Sequence, residues 1–274
     1  MRANTNNISL SVKPFNKTSF VIRMTLLTLA ALTLFGLLTF DYKDLVLSEA
    51  IRKTGDTLGT MLLEPHAKHF TFGEALRQVV ITIGLAFLTT LFGAVIALFL
   101  ALLTARNLSR PGISLAIRSA VAFIRAVPTV LWVLIFAVAA GLGSVAAVIG
   151  MTFHSVSYLV KAYSESFEEL DDGVVEALRA SGAGWWQIVF QAVLPSSISY
   201  IISWTFVRFE INFAVAVAMG AAAGAGGIGF DMFMASNFYF DIREIGFITY
   251  MILAFAILLE LMARRIKRKL AVNA

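Results

Sequence analysis

The chain has 274 residues, of which 59% are hydrophobic and 14% charged, and its mean hydropathy is +0.83. A soluble domain carries about a quarter charged residues, so most of this chain is built for lipid. Cysteine is absent, which excludes disulfides and thiolate metal centres; the formal net charge of +5 comes from basic residues beside apolar runs, a pattern of membrane topology and not of nucleic-acid binding.

In chain order, Arg2, Lys13, Lys17 and Arg23 precede an uncharged stretch over 24–40. A cleaved signal peptide would have an apolar core of about 7–15 residues and a small-residue cleavage site. "LLTFDYKDL" offers none, so this stretch reads as a retained first helix. A membrane helix needs about 20 mostly apolar residues, and six stretches qualify: about 22–40, 77–103, 121–140, 144–161, 197–222 and 245–263. Residues 1–21 form a basic N-terminal arm. Residues 41–76, with Pro65, His66 and His69, form an external loop with an amphipathic piece. Residues 77–263 form one membrane core, and 264–274 a basic tail. The expected fold is all-α and polytopic, with about six transmembrane helices.

Short flanking loops rich in Lys and Arg face the cytoplasm. The N-terminal arm, Arg106 and Arg110 in "ARNLSRPG", and the five basic residues of "RRIKRK" then share one side. An even number of spans places both termini in the cytoplasm, together with the loop 161–196. The expected location is a membrane, with lipid contacts and no nucleic acid.

The loop 161–196 carries a pattern. In "DDGVVEALRASGA", Asp171 and Asp172 suit a helix N-terminus. Gly182 and Gly184 break that helix, and "WWQIVFQAVL" starts a second amphipathic turn that Pro195 stops. Two short helices at a bend are a natural knob for a partner's groove. Trp185 and Trp186 suit an interface belt or a partner contact.

"EALRASGAGWWQIVFQAVLP" resembles the EAA loop of ABC importer permeases, which reads E-A-A, three residues, G, nine residues, I-x-L-P. Glu176, Ala177, Gly182, Leu194 and Pro195 match; Leu178 departs from the second alanine and Ala192 from the isoleucine. The resemblance implies a type I ABC importer permease fold in which this loop, Ala183 included, docks on an ATPase subunit. It also implies a second permease chain (the same or a paralogue), a cytoplasmic ATPase dimer that holds ATP and Mg, and an external substrate-binding protein. This chain has no G-x-x-x-x-G-K-[ST] and so no ATPase site of its own; no cofactor is expected in it.

Arg208, Glu210 and Asn212 interrupt the fifth span. Charges at that depth are costly unless they face a cavity or each other. Arg208 and Asn212, four residues apart, share a helix face, while Glu210 points elsewhere, to another helix or a dimer seam. Each is a pathway residue or a polar clamp. "RFEIN" and the later glycines resemble the phosphonate importer permeases, whose pattern is R-F-E-x-N, an arginine, then a run ending V-G-A-G-G-I-G. "VAAGLGSVAAVIGMTFHSV", with His154, is similar to the same family, and the resemblance spans roughly 75–270. The family's arginine is expected near Ala214, which is alanine here. Either the anion is handled elsewhere, or the substrate differs, or a partner permease keeps the arginine. Methionine-type permeases share the EAA loop and a similar glycine run.

Gly224, Gly226, Gly227 and Gly229 include a literal G-x-G-x-x-G. A dinucleotide turn follows a strand and opens a helix; this run follows a long apolar helix, so it reads as close packing, a chain reversal, and a hinge or lining of an external gate. His154 is a packing or pathway residue without metal-ligand spacing. Arg118 and Arg125 read as interface anchors around a kink at Pro128, and Glu260 with Arg264 as a surface pair. The resulting expectation is a permease subunit for phosphonate or a related phosphorus oxyanion. A methionine-type or other small-solute permease is the alternative within the class. An ion-coupled transporter using His154 and Glu210 as a proton relay is the alternative outside it.

Overall fold

The computed structural model describes residues 16–40 and 46–272, and every regular element among them is helical. Most of the N-terminal arm, Arg2 and Lys13 included, lies outside the described residues, as do the side chains of Lys267 and Lys269. The chain divides into two compact units, 1–54 and 55–274. In the first, α1 (Lys17–Thr39) starts at the N-cap Asn16, whose side chain accepts the amides of Thr18 and Ser19, and has no buried residue. The amphipathic α2 (Leu47–Leu63) runs across the boundary into the second unit.

The second unit is built on four long helices and one broken pair. The 33-residue α3 (Phe72–Thr104) begins with a capping box: the amide of Glu74 donates to Thr71 Oγ1, and the amide of Thr71 to Glu74 Oε2 at 2.7 Å. Pro111 opens α4 (Pro111–Ala126), where its missing N–H is harmless. The span expected over 121–140 does not run straight: α4 and α5 (Thr129–Ala140) meet at 90°. The residue before a proline avoids helical geometry, and Val127 is extended at φ −92°, ψ 126°. Pro128 has no N–H for the carbonyl four residues back; that carbonyl, Ile124 O, instead accepts the indole N–H of Trp132 at 3.0 Å.

α6 (Ser144–Glu168) outlasts the expected 144–161 by two turns. Gly93 lets α3 close on it, since a Cβ there would lie 2.8 Å from Ser155 Cβ. After α7 (Asp172–Ala180), α8 (Trp185–Ile188) passes through a π turn (Val189–Val193) into α9 (Leu194–Ala223) as one apolar run, Trp185–Ala223. Pro195 therefore does not stop a helix. A proline ring clashes with the carbonyl four residues back; here Leu194 N–H reaches five back, to Val189 O, and the wider turn carries the ring through. A chain reversal leads to α10 (Ile228–Met234), a second π turn (Ala235–Tyr239) and α11 (Ile242–Val272).

Among the described residues five helices are long and apolar enough to cross a membrane, or six if the bent α4–α5 pair counts as one span. Three apolar clusters hold the second unit together along its length. One joins the C-terminal ends of α3 and α6 to α7 and α8. A middle one joins α3, α5, α6 and α9, and the third joins α3, α10 and α11 at the opposite end.

Candidate functional site

At the end of the bundle where α6 stops, residues 169–184 form a knob. Asp171 caps α7 and accepts the amide of Gly173 at 2.9 Å. On α7, Val175 is 2% exposed and Leu178 packs into the cluster below, while Val174, Glu176 and Ala177 face outward. Burying one such aliphatic side chain is worth about 1.5–3 kcal/mol. Leu178, the departure from the second alanine of the motif, is thus an inward residue, where extra apolar volume adds contact.

α7 ends in a Schellman turn. Gly182 N–H donates to Arg179 O and Ala183 N–H to Leu178 O, both at 3.0 Å. Gly182 sits at φ +87°, a region L side chains rarely adopt. Gly184 has no such demand: its φ is −71°, and it caps α8, with its amide on Gln187 Oε1 at 2.6 Å.

The knob is tied to the connection 105–110 between α3 and α4. Arg179 Nη2 donates to Asn107 O at 2.9 Å, and Trp185 Nε1 to Leu108 O at 3.0 Å. Asn107 Nδ2 donates to Phe167 O at 2.8 Å, and Arg106 N–H to Glu168 Oε1 at 2.7 Å. The two tryptophans therefore differ. Trp185 is an internal anchor, whereas Trp186 is 56% exposed. Arg118 is no simple interface anchor either: it pairs with Glu168 and donates to Ser114 Oγ and Thr104 O.

Midway along the bundle, α3, α6 and α9 meet at a polar node. Arg208 and Asn212 share a face, as their spacing requires, and are 2% and 0% exposed. Asn212 Nδ2 donates to Thr90 Oγ1 at 2.9 Å and Ser155 Oγ at 3.0 Å; Arg208 Nε donates to the same Ser155 oxygen at 3.0 Å. Arg208 stacks on the Tyr158 ring, 5.2 Å from its centroid, a contact worth about 2 kcal/mol when desolvated. It forms no ion pair among the described residues, and its Nη2 is buried without a hydrogen bond. His154 also presents a buried, unbonded Nδ1. Thr90, Ser155 and Tyr158 complete this node. Their contacts bridge up to 122 residues, which no local pattern in the sequence could reveal.

Glu210 leaves the node. It borders a crevice of about 200 Å³ between α9 and α11, with Ala214, Ala256 and Glu260. Glu260 also pairs with Arg264 one turn on, at 2.5 Å. No group of three or more His, Cys, Asp or Glu side chains is placed to hold a metal ion among the described residues.

The glycines lie at the opposite end. Gly224 caps α9 in the left-handed region, and Gly226 and Gly227 also have positive φ. The reversal lays α10 back on α9 so closely that a Cβ on Gly229 would sit 1.8 Å from Val217 O. Thr82 of α3 accepts the amide of Ile228 at 3.0 Å. The helix α9 leads directly into the run, so its geometry is that of a helix cap and a packing contact and not of a dinucleotide turn. "FDMFMASNFYF" is helical across this end, from α10 into the π turn over 235–239.

Beside it, residues 64–70 are clasped to the start of α11. Glu244, 0% exposed, accepts the amides of His69 at 2.8 Å and Lys68 at 3.1 Å and faces His69 Nδ1 at 2.8 Å. Arg243 pairs with Glu64, and His66 faces Asp241. Amides of Glu244 and Arg243 and the His66 ring hold the Asp241 carboxyl below its ordinary range, against the opposing effect of desolvation.

The family model described as "Binding-protein-dependent transport system inner membrane component" matches residues 93–272. The chain is 30% identical over 178 residues to the phosphate-import permease protein PhnE of Mycolicibacterium smegmatis, covering 64% of this chain and 33% of that one. It is 32% identical over 186 residues to the phosphite transport system permease protein PtxC of Stutzerimonas stutzeri, covering 68% and 67%. The chain thus spans a third of the first relative and two thirds of the second. In fold it is similar to a chain of the inward-facing MetNI methionine ABC transporter, with a TM-score of 0.66, 22% identity, and coverage of 74% and 99%. A bacterial alginate ABC importer gives a TM-score of 0.63 at 15% identity, covering 93% and 99%. The bundle of long apolar helices is that of an integral inner-membrane protein, and the chain belongs to the family of inner-membrane permease components of binding-protein-dependent ABC importers.

Proposed function

We propose that this chain lines the substrate pathway of an ATP-driven importer for phosphonate, phosphite or a related small phosphorus oxyanion. The observation that carries this reading is Arg208: a guanidinium buried mid-bundle, with no carboxylate partner among the described residues and a nitrogen still lacking an acceptor. An unpaired buried cation is costly, and an anion in transit would relieve that cost. Arg208 is the electrostatic station, Ser155 holds it, Asn212 holds Ser155, and His154 with its unbonded Nδ1 is a further pathway residue. The names of the permeases that this chain resembles support an oxyanion as the cargo.

The outward face of α7, with Val174, Glu176 and Ala177, docks in a groove of a cytoplasmic ATPase that binds ATP and Mg. Gly182, Ala183, Leu194 and Pro195 shape and anchor the knob. A second permease chain closes the pathway, and a binding protein delivers substrate at the end that carries Gly224, Gly226, Gly227 and Gly229. Both termini then lie in the cytoplasm. ATP-driven movement of α7 is passed through Arg179 and Trp185 to the α3–α4 connection and tilts the bundle between two states.

Uptake of labelled phosphonate, phosphite and methionine in cells depleted of other importers tests this reading. Arg208→Gln should cut oxyanion uptake more than 10-fold while the ATPase still co-purifies. Uptake above half of wild type in that variant, or preferential uptake of methionine, overturns it.

A further inference from the structure

Beyond the pathway, a cleft of about 140 Å³ opens between α3, α4 and α6 at the end that carries the knob. Its walls include Arg118, Arg125 and Lys161, together with Thr104 and Ser164, and no carboxylate. Both hydroxyl protons are committed, Thr104 Oγ1 to Leu100 O and Ser164 Oγ to Lys161 O. The donors open to a ligand are therefore the three cations.

Their charges are unequally balanced. Arg118 is pinned by Glu168, Ser114 and the Thr104 carbonyl. Lys161 faces Glu165 at 3.7 Å, an exposed and loose pair worth little. Arg125 has no ion pair among the described residues. Three cations against two carboxylates leave one positive charge in excess, at a concave site. The volume is several times the ~30 Å³ share of one water.

We propose that this cleft binds a phosphate-bearing anion, with Arg125 and Lys161 as the mobile ligands and Arg118 as the fixed one. Three cationic donors from two helices suit the oxygens of a tetrahedral oxyanion. The anion is either the headgroup of an acidic phospholipid or free phosphate. Bound there, it bridges Arg125 of α4 to Lys161 of α6 beside Glu168, the residue that ties α6 to the α3–α4 connection. Occupancy therefore stiffens the junction through which the knob acts. The site rests on the proposed function only for placing this end of the bundle in the cytoplasm.

The test uses the full chain in nanodiscs of phosphatidylcholine and reads the unfolding midpoint. Inorganic phosphate is titrated in one arm, and phosphatidylglycerol replaces part of the lipid in the other. Sodium chloride at matched ionic strength is the control. A saturable rise with phosphate identifies a free anion, and a rise with phosphatidylglycerol alone identifies a headgroup. In either case Arg125→Gln/Lys161→Gln should weaken the response at least 10-fold. Absence of a saturable rise in both arms, or a rise unchanged in the double variant, overturns the proposal. The readout needs no transport, so it stands apart from the Arg208→Gln uptake test.

Discussion

The indole nitrogen of Trp185 lies 3.0 Å from the carbonyl oxygen of Leu108, joining two segments 77 residues apart. With Arg179 on Asn107 O, it ties the knob to the α3–α4 connection. Trp185→Phe keeps the ring and deletes the donor, at a cost of about 1 kcal/mol. Membrane levels and ATPase co-purification should persist, while ATP hydrolysis continues with reduced uptake. Unchanged uptake per ATP hydrolysed would place the transmission elsewhere.

The glycine run yields two contrasting variants. Gly226 has φ +79° but open space where a Cβ would go, so Gly226→Ala should cost only about 1 kcal/mol of backbone strain. Gly229→Ala would drive a methyl into Val217 O and separate α10 from α9. It should lower the amount of folded protein sharply in a detergent-extraction assay. Equal yields of the two variants would show that α10 is not packed this tightly.

Asp231, on α10 outside the long spans, is pushed from 3.8 to about 6 by burial and by the carboxylates of Glu244 and Glu74. Between those two values the folded chain holds a proton that the unfolded chain has released. Stability therefore falls as pH rises from about 4 to 6 and stays reduced above. Asp231→Asn removes that loss. It should unfold at a higher temperature than wild type at pH 8 and at the same temperature near pH 4. A gain of equal size at both pH values would assign the effect to packing instead.

Ala214 lies one turn after Glu210 on the crevice that also reaches Glu260. Glutamate followed four residues later by a cation is the favourable order on a helix. Ala214→Arg should therefore insert and fold at wild-type levels, and oxyanion uptake should survive it. Complete loss of uptake at normal membrane levels would show that the crevice must stay acidic.

Much of the architecture follows from local chemistry. Apolar length marks the long spans and Pro128 marks a break, whereas the capping box of Thr71 and Glu74 starts α3 at Phe72, ahead of the expected 77. Glu176, Gly182 and Pro195 at their spacing mark where the short helices α7 and α8 lie. Gly182 is a good example, since a positive φ after an amphipathic helix is a local demand that only a local signal can meet. Pro195 misleads because its usual effect on a helix is also local, while the π turn that accommodates it belongs to the continuous run from α8 to α9.

What only the tertiary structure decides is which polar groups find each other. Arg208 meets Ser155 and Tyr158 rather than Glu210, although Glu210 is two residues away, because a helix turns its neighbours to different faces. Trp185 and Trp186 look alike in the chain and pack ring against ring, yet the indole N–H of one is held by Leu108 O while the other side chain is 56% exposed. Arg118 and Arg125 share one helix, yet the packing of α6 gives Arg118 a carboxylate and, among the described residues, gives Arg125 none. Helix periodicity is written every few residues and can be read from the sequence alone. Pairings across 50 to 120 residues depend on how the helices pack, and there the sequence specifies the partners only through the fold.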